Sequence, residues 1–93
     1  MPTVIVKHTV RDYSAWKKVF DADAVNREAV STGGNIFRSA EDPNEVTIML
    51  HVKHLGKAKE WAHDPKLKET MQGAGVTSMP DIRFYEDGES FAV

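Results

Sequence analysis

The sequence predicts an α+β domain, a ferredoxin-like βαββαβ plait in which an antiparallel four-stranded sheet carries two helices on one face. Three observations carry that expectation. Four short runs rich in β-branched residues alternate apolar and polar side chains, as half-buried strands do. Two longer stretches, one around Trp16 and one around Trp61, repeat apolar residues at helical spacing. A turn, Glu41-Asp42-Pro43-Asn44, joins the second and third strands without space for a helix, which makes them a hairpin. Two helices on one face leave the opposite face bare, and a bare sheet face in a small domain invites a second copy of the chain.

Thr3 to Thr9 is the first strand. Val4, Val6 and His8 share one face and Ile5 and Lys7 the other. Asp12 follows as an N-cap, because its carboxylate can accept from the free amides of a first helical turn. From Tyr13 the side chains Trp16, Val19, Phe20, Ala24 and Ala29 recur on one helical face, which predicts a helix to about Val30. Ser31-Thr32-Gly33-Gly34 is expected to stop it, the glycines serving as a left-handed cap. Asn35 to Ala40 is a weaker second strand, and Val46 to Val52 is the strongest in the chain, with Val46, Ile48, Leu50 and Val52 facing one way.

Leu55, Ala58, Trp61 and Ala62 mark the second helical stretch. A break is expected at Asp64-Pro65, where Asp64 caps a fresh start and Pro65 suits a first helical position. Leu67 and Met71 extend the apolar stripe to Gly73-Ala74-Gly75. After Pro80, Asp81 to Glu86 forms the last strand, with Ile82 and Phe84 on one face and Arg83 and Tyr85 on the other. Phe91 and Val93 in the tail beyond Asp87 are available to pack on a partner.

Composition narrows the function classes. Ninety-three residues form one domain, residues 1–93. A formal net charge of −2 argues against nucleic acid as the main partner, since phosphate binding needs a cationic surface. There is no cysteine, so thiolate nucleophiles, thiolate metal sites and disulfides are excluded. No signal-peptide pattern and no apolar run of membrane-spanning length is present, so no membrane partner is expected and a cytoplasmic location is.

The chain resembles the dimeric α/β-barrel superfamily, and within it small proteins related to the antibiotic-biosynthesis monooxygenases. The resemblance covers nearly all of it. It rests on Val6-Lys7-His8-Thr9-Val10-Arg11-Asp12-Tyr13-Ser14-Ala15-Trp16, on Val19-Phe20-Asp21, and on Phe37-Arg38 before Asp42-Pro43-Asn44-Glu45-Val46. It continues through Asp64-Pro65-Lys66-Leu67-Lys68 and from Met71 to Ala74-Gly75-Val76. The resemblance implies a homodimer in which two sheets pack into a barrel, with a pocket in each subunit between sheet and helices. Activities in the superfamily include oxygenation of phenols or quinols without a cofactor, haem degradation and polyketide cyclisation. Many members have no known activity. Asp23 stands where similar sequences often carry histidine, so chemistry that depends on a histidine there does not carry over.

Among individual residues, His8 is the candidate catalytic base. It lies at the end of a strand on the helix-facing side, and histidine is the side chain whose unperturbed pKa suits proton transfer near neutrality. The competing reading is a structural histidine bonded to buried backbone. Trp16, Phe20 and Trp61 are candidate ligand-binding walls for a flat aromatic compound, and they double as core. Asn35 is a candidate polar anchor, or simply a residue of the turn. Asp23 and Arg27, one turn apart, are expected to pair on the surface. His51-x-x-His54 crosses from a strand end into a loop without an obvious third ligand, so no metal site is expected. No cofactor is expected either: glycine-rich phosphate loops and Ser-His-Asp signatures are missing.

These readings favour a small-molecule pocket protein acting as a cofactor-independent monooxygenase on a phenolic or quinol-type aromatic. The alternative is a non-catalytic ligand-binding or assembly module on the same homodimeric fold. RNA binding, suggested by the shared βαββαβ order, fails because the central strands Val4-Ile5-Val6-Lys7 and Thr47-Ile48-Met49-Leu50 offer no stacking aromatics.

Overall fold

The computed structural model describes residues 1–93. In chain order its elements are β1 (Thr3–Thr9), α1 (Tyr13–Ala22), α2 (Ala24–Arg27), β2 (Ser31–Arg38), β3 (Glu45–Val52), α3 (Leu55–Ala62), α4 (Pro65–Gly73) and β4 (Asp81–Tyr85). The four strands form one sheet in the order β2-β3-β1-β4, with every neighbouring pair antiparallel. This is the expected plait, each predicted helix being divided in two.

Period-two patterning sets the faces. Val4, Val6, Val46, Ile48, Leu50 and Val52 turn toward the helices and are buried, and Trp16, Ala58 and Ala74 close over them. The other face carries Ile5, Lys7, Phe37, Thr47, Met49, Arg83 and Tyr85 by register, and no element covers it. Its charges are partly paired: Lys7 meets Glu45 at 3.0 Å and Arg83 meets Asp81 at 3.1 Å.

The helix starts follow from their caps. The Asp12 carboxylate accepts from the Ala15 amide at 3.0 Å, and the Asn44 side chain accepts from the Tyr13 amide at 3.2 Å. The β2–β3 turn is thereby tied to the first turn of α1. Asp64 caps α4 by accepting from the Lys66 amide at 2.9 Å, with Pro65 opening the helix.

Two expectations are corrected. The first helix does not run to Val30. It ends at Ala22, and after Asp23 only the single turn of α2 follows. The Asp23 carboxylate accepts from the Asn26 side chain at 2.7 Å, a local bond that competes with continued helix. Gly33 and Gly34 do not cap a helix either, because β2 begins four residues before the expected Asn35, at Ser31.

The glycines instead belong to an irregularity in the sheet. Pairing with β3 shifts between Ser31 and Gly33, and the Ser31 hydroxyl donates to the His51 carbonyl at 2.8 Å while accepting from the Gly33 amide at 3.1 Å. Gly33 has φ of +139°, and a Cβ on Gly34 would overlap the Met49 carbonyl of β3. A bulge that brings two backbones this close admits no side chain.

Candidate functional site

A small cavity lies between the sheet and the helices, with a volume of about 50 Å³. His8 from β1, Trp16 and Phe20 from α1, Arg27 from α2, Trp61 from α3 and Met71 from α4 are among its walls. Strand alternation puts His8 there: its neighbours on the same face, Val4 and Val6, are core. The helical repeat puts Trp16 and Phe20 there together, four residues apart on one face of α1.

His8 is 3% exposed, and neither ring nitrogen has a hydrogen-bond partner in the protein. Its imidazole lies nearly perpendicular to the Trp16 indole, with centroids 5.7 Å apart and planes at 84°. Burial holds its pKa below the ordinary 6.5, so the ring is neutral at pH 7, with one nitrogen able to accept a proton. A buried polar group without partners costs on the order of 1–3 kcal/mol. The structural-histidine reading required a backbone partner for this ring, and the protein supplies none.

Trp16 is 3% exposed and stacks on Phe20 with centroids 4.9 Å apart, while the Tyr13 ring lies 5.6 Å from it, tilted by 40°. Trp61 is only half-buried at the opposite wall. The structure thus brings His8, Trp16, Phe20 and Trp61 together. Asn35 stands apart: it pairs with Met49, which directs its side chain to the uncovered face, and it belongs to the edge of a neighbouring hollow.

That hollow, about 230 Å³, lies beside β2 and shares Phe20, Arg27, Ile48 and Leu50 with the cavity. Arg27 and Phe20 form the partition. The guanidinium lies over the Phe20 ring at 3.6 Å and donates to the Phe20 carbonyl through Nη1 at 2.6 Å. The expected surface pair between Asp23 and Arg27 is not formed. The Asp23 carboxylate is taken by the Asn26 side chain, and Arg27 folds back along Phe20 instead. Burial lowers the Arg27 pKa, and the charges of Asp23 and Asp21 oppose that shift.

Sequence patterning missed Arg27 as a wall residue. Its seven-residue spacing from Phe20 is two helical turns, the one available signal, but that spacing reads equally as solvent-facing helix. Asp23 also borders the cavity, at the position where the resemblance led one to expect a histidine. The remaining histidines lie elsewhere. His51 pairs with Thr3 in the sheet, His54 precedes α3, and Nδ1 of His63 lies 2.7 Å from the Lys59 carbonyl. No three His, Cys, Asp or Glu side chains converge.

No protein-family model matches the chain, and no curated protein matches it in sequence. Its fold, by contrast, recurs among solved structures. A protein from Bordetella bronchiseptica, provisionally named as an antibiotic biosynthesis monooxygenase, superposes with a TM-score of 0.76 at 12% identity, covering 95% of this chain and 97% of that one. SnoaB, a cofactor-independent oxygenase from Streptomyces nogalater, superposes at 0.72 with 12% identity, covering 96% and 94%. Rv0793 from Mycobacterium tuberculosis superposes at 0.67 with 15% identity, covering 98% of each. The chain therefore has the small ferredoxin-like fold of the antibiotic-biosynthesis-monooxygenase-like proteins. Identities this low establish the fold and carry no activity with them. No helix is long and apolar enough to cross a membrane.

Proposed function

We propose that the protein is a homodimeric pocket protein that oxygenates a small phenolic or quinol-type aromatic without a cofactor, with His8 as general base. The observation that carries this reading is the buried, neutral His8 whose two nitrogens lack protein partners in an apolar cavity. Buried polar groups are nearly always bonded, so an orphaned imidazole facing a cavity marks a place kept for a ligand. SnoaB, of the same fold, is named as an oxygenase that needs no cofactor, which agrees with the reading.

The chemistry asks little of the protein. Neutral His8 takes the phenolic proton, and the phenolate passes one electron to dioxygen. Superoxide and the aryloxyl radical then combine at an unsubstituted ring carbon para to the oxygen. The resulting hydroperoxide loses water to leave a quinone, so one phenol and one O2 give one quinone and one water. Trp16, Phe20 and Trp61 would hold the ring and exclude water, and Asn35 would anchor a polar substituent reaching the outer hollow. The Asn35 role requires its side chain to turn from the uncovered face. An aromatic ring needs a cavity on the order of 150 Å³. The 50 Å³ at His8 therefore has to be joined to the 230 Å³ hollow by movement of Phe20 and Arg27.

Dimerisation through the uncovered sheet face is part of the proposal. Phe37 is 53% exposed and Tyr85 44%, with Ile5 and Met49 between them on the two central strands.

Oxygen consumption by the metal-free protein over a panel of quinols and polyphenols tests the reading, with His8→Ala beside the wild type. Uptake that His8→Ala abolishes in a folded dimer supports it, and uptake untouched by the substitution removes His8 from the mechanism. Asp23, in place of the often-seen histidine, favours a second reading, a binding module without turnover. Saturable ligand binding with no oxygen consumption would select it.

A further inference from the structure

Arg27 is the only lysine or arginine that borders both the His8 cavity and the outer hollow. It is half-buried, and no carboxylate lies within 4.0 Å of it to form an ion pair. A guanidinium has five N–H donors in a planar fork. One of them is committed, by Nη1 to the Phe20 carbonyl, and one face of the plane rests on the Phe20 ring. Arg27 also lines the outer hollow, together with Gly33, Gly34 and Asn35 of β2. Three acidic groups share the neighbourhood: Asp23 at the cavity, Glu28 at the hollow, and Asp21, whose charge also acts on Arg27. Asp23 is already held by Asn26 and Asp21 by Lys17.

Resting on the pocket reading above, we propose that Arg27 selects an aromatic acid: the carboxylate of the ligand takes the guanidinium fork in the outer hollow, while the ring passes Phe20 toward His8. A carboxylate is the group that fork geometry fits, with two parallel charge-assisted bonds. It also resolves a problem that a neutral ligand would create. A neutral ring entering the hollow strips water from a half-buried cation and gives it nothing in return, whereas a carboxylate compensates the charge it covers. The same pairing opens the site. Drawing the guanidinium toward the ligand removes it from the Phe20 face, and Phe20 is the remaining partition between the two volumes.

Isothermal titration calorimetry with 3-hydroxybenzoate, whose carbon para to the hydroxyl is free, and its uncharged analogue 3-hydroxybenzamide tests this, on wild type, Arg27→Gln and Arg27→Lys. The wild type is expected to prefer the acid by about tenfold or more, the worth of a charge-assisted contact. Arg27→Gln is expected to bind the two compounds equally. Arg27→Lys, which keeps the charge and loses the fork, is expected to retain part of the preference and serves as the control should the glutamine variant fold poorly. Equal binding of acid and amide by the wild type overturns the role of Arg27 and leaves the aromatic pocket standing. Persistence of the preference in folded Arg27→Gln does the same. Failure of both compounds to bind the wild type overturns the pocket reading and this inference together.

Discussion

His8 and Trp16 meet in the core with their rings nearly perpendicular, 5.7 Å between centroids and 84° between planes. The contact keeps water from the imidazole and supplies no hydrogen bond to either nitrogen. It follows that protonating His8 works against the fold. In the unfolded chain the histidine takes up a proton as pH falls through its ordinary 6.5, while the folded chain resists because burial lowers the pKa. The unfolded state thus binds more protons over that interval, and stability declines with falling pH from about 6.5 down to the folded pKa, where the loss is complete. Asp23 and Arg27 border the same cavity, but the interval belongs to the imidazole. Urea unfolding followed by tryptophan fluorescence at successive pH values is expected to show this decline in the wild type and its absence in His8→Leu.

Trp16 anchors α1 to the sheet, and its removal is expected to cost about 3–5 kcal/mol, the range for truncating a buried aromatic. Trp16→Phe should cost less, since it preserves the stack on Phe20. Chemical denaturation measures both.

Gly34→Ala is expected to destabilise by about 2 kcal/mol or more, because the added methyl has to displace the β3 backbone at Met49. Gly56→Ala is the matched control: a Cβ there meets nothing within 4 Å, and no loss is expected. Thermal melts of the two variants, compared with the wild type, separate a local backbone clash from a general intolerance of substitution.

Phe37→Glu places a charge in the uncovered face opposite Thr47. If that face joins two copies, sedimentation velocity is expected to show a dimer for the wild type and a monomer for the variant, with the circular dichroism of the two alike.

Much of the plait was legible because its signals are local. Alternation in Val4 to His8 set the buried face of β1, and Asp12 and Asp64 announced the two caps that the structure contains. The grouping of His8, Trp16, Phe20 and Trp61 followed from the same periodicities once the topology was fixed. The break at Asp23 was not legible, since the apolar spacing runs straight through it. The bonds found there, Asn26 to the Asp23 carboxylate and Arg27 to the Phe20 carbonyl, are side-chain choices that periodicity does not report. The glycine pair misled for a related reason. Its conformational freedom suits a helix cap as well as a strand bulge, and only pairing with β3, far off in sequence, chooses between them. Cavity volume is a property of how rotamers meet across elements, so the sequence was silent on it, as it was on Arg27.

The position of β1 bears on how the chain reaches this state. It is made first within the domain, yet it sits inside the sheet, and its flanking strands come from residues 45–52 and 81–85. Thr3 pairs with both His51 and Tyr85. Closing such long loops is an entropic debt met before the contacts that reward it, which slows folding. During synthesis the His8 strand waits for the final strand to emerge, and until then one of its edges stands open to any other extended segment nearby.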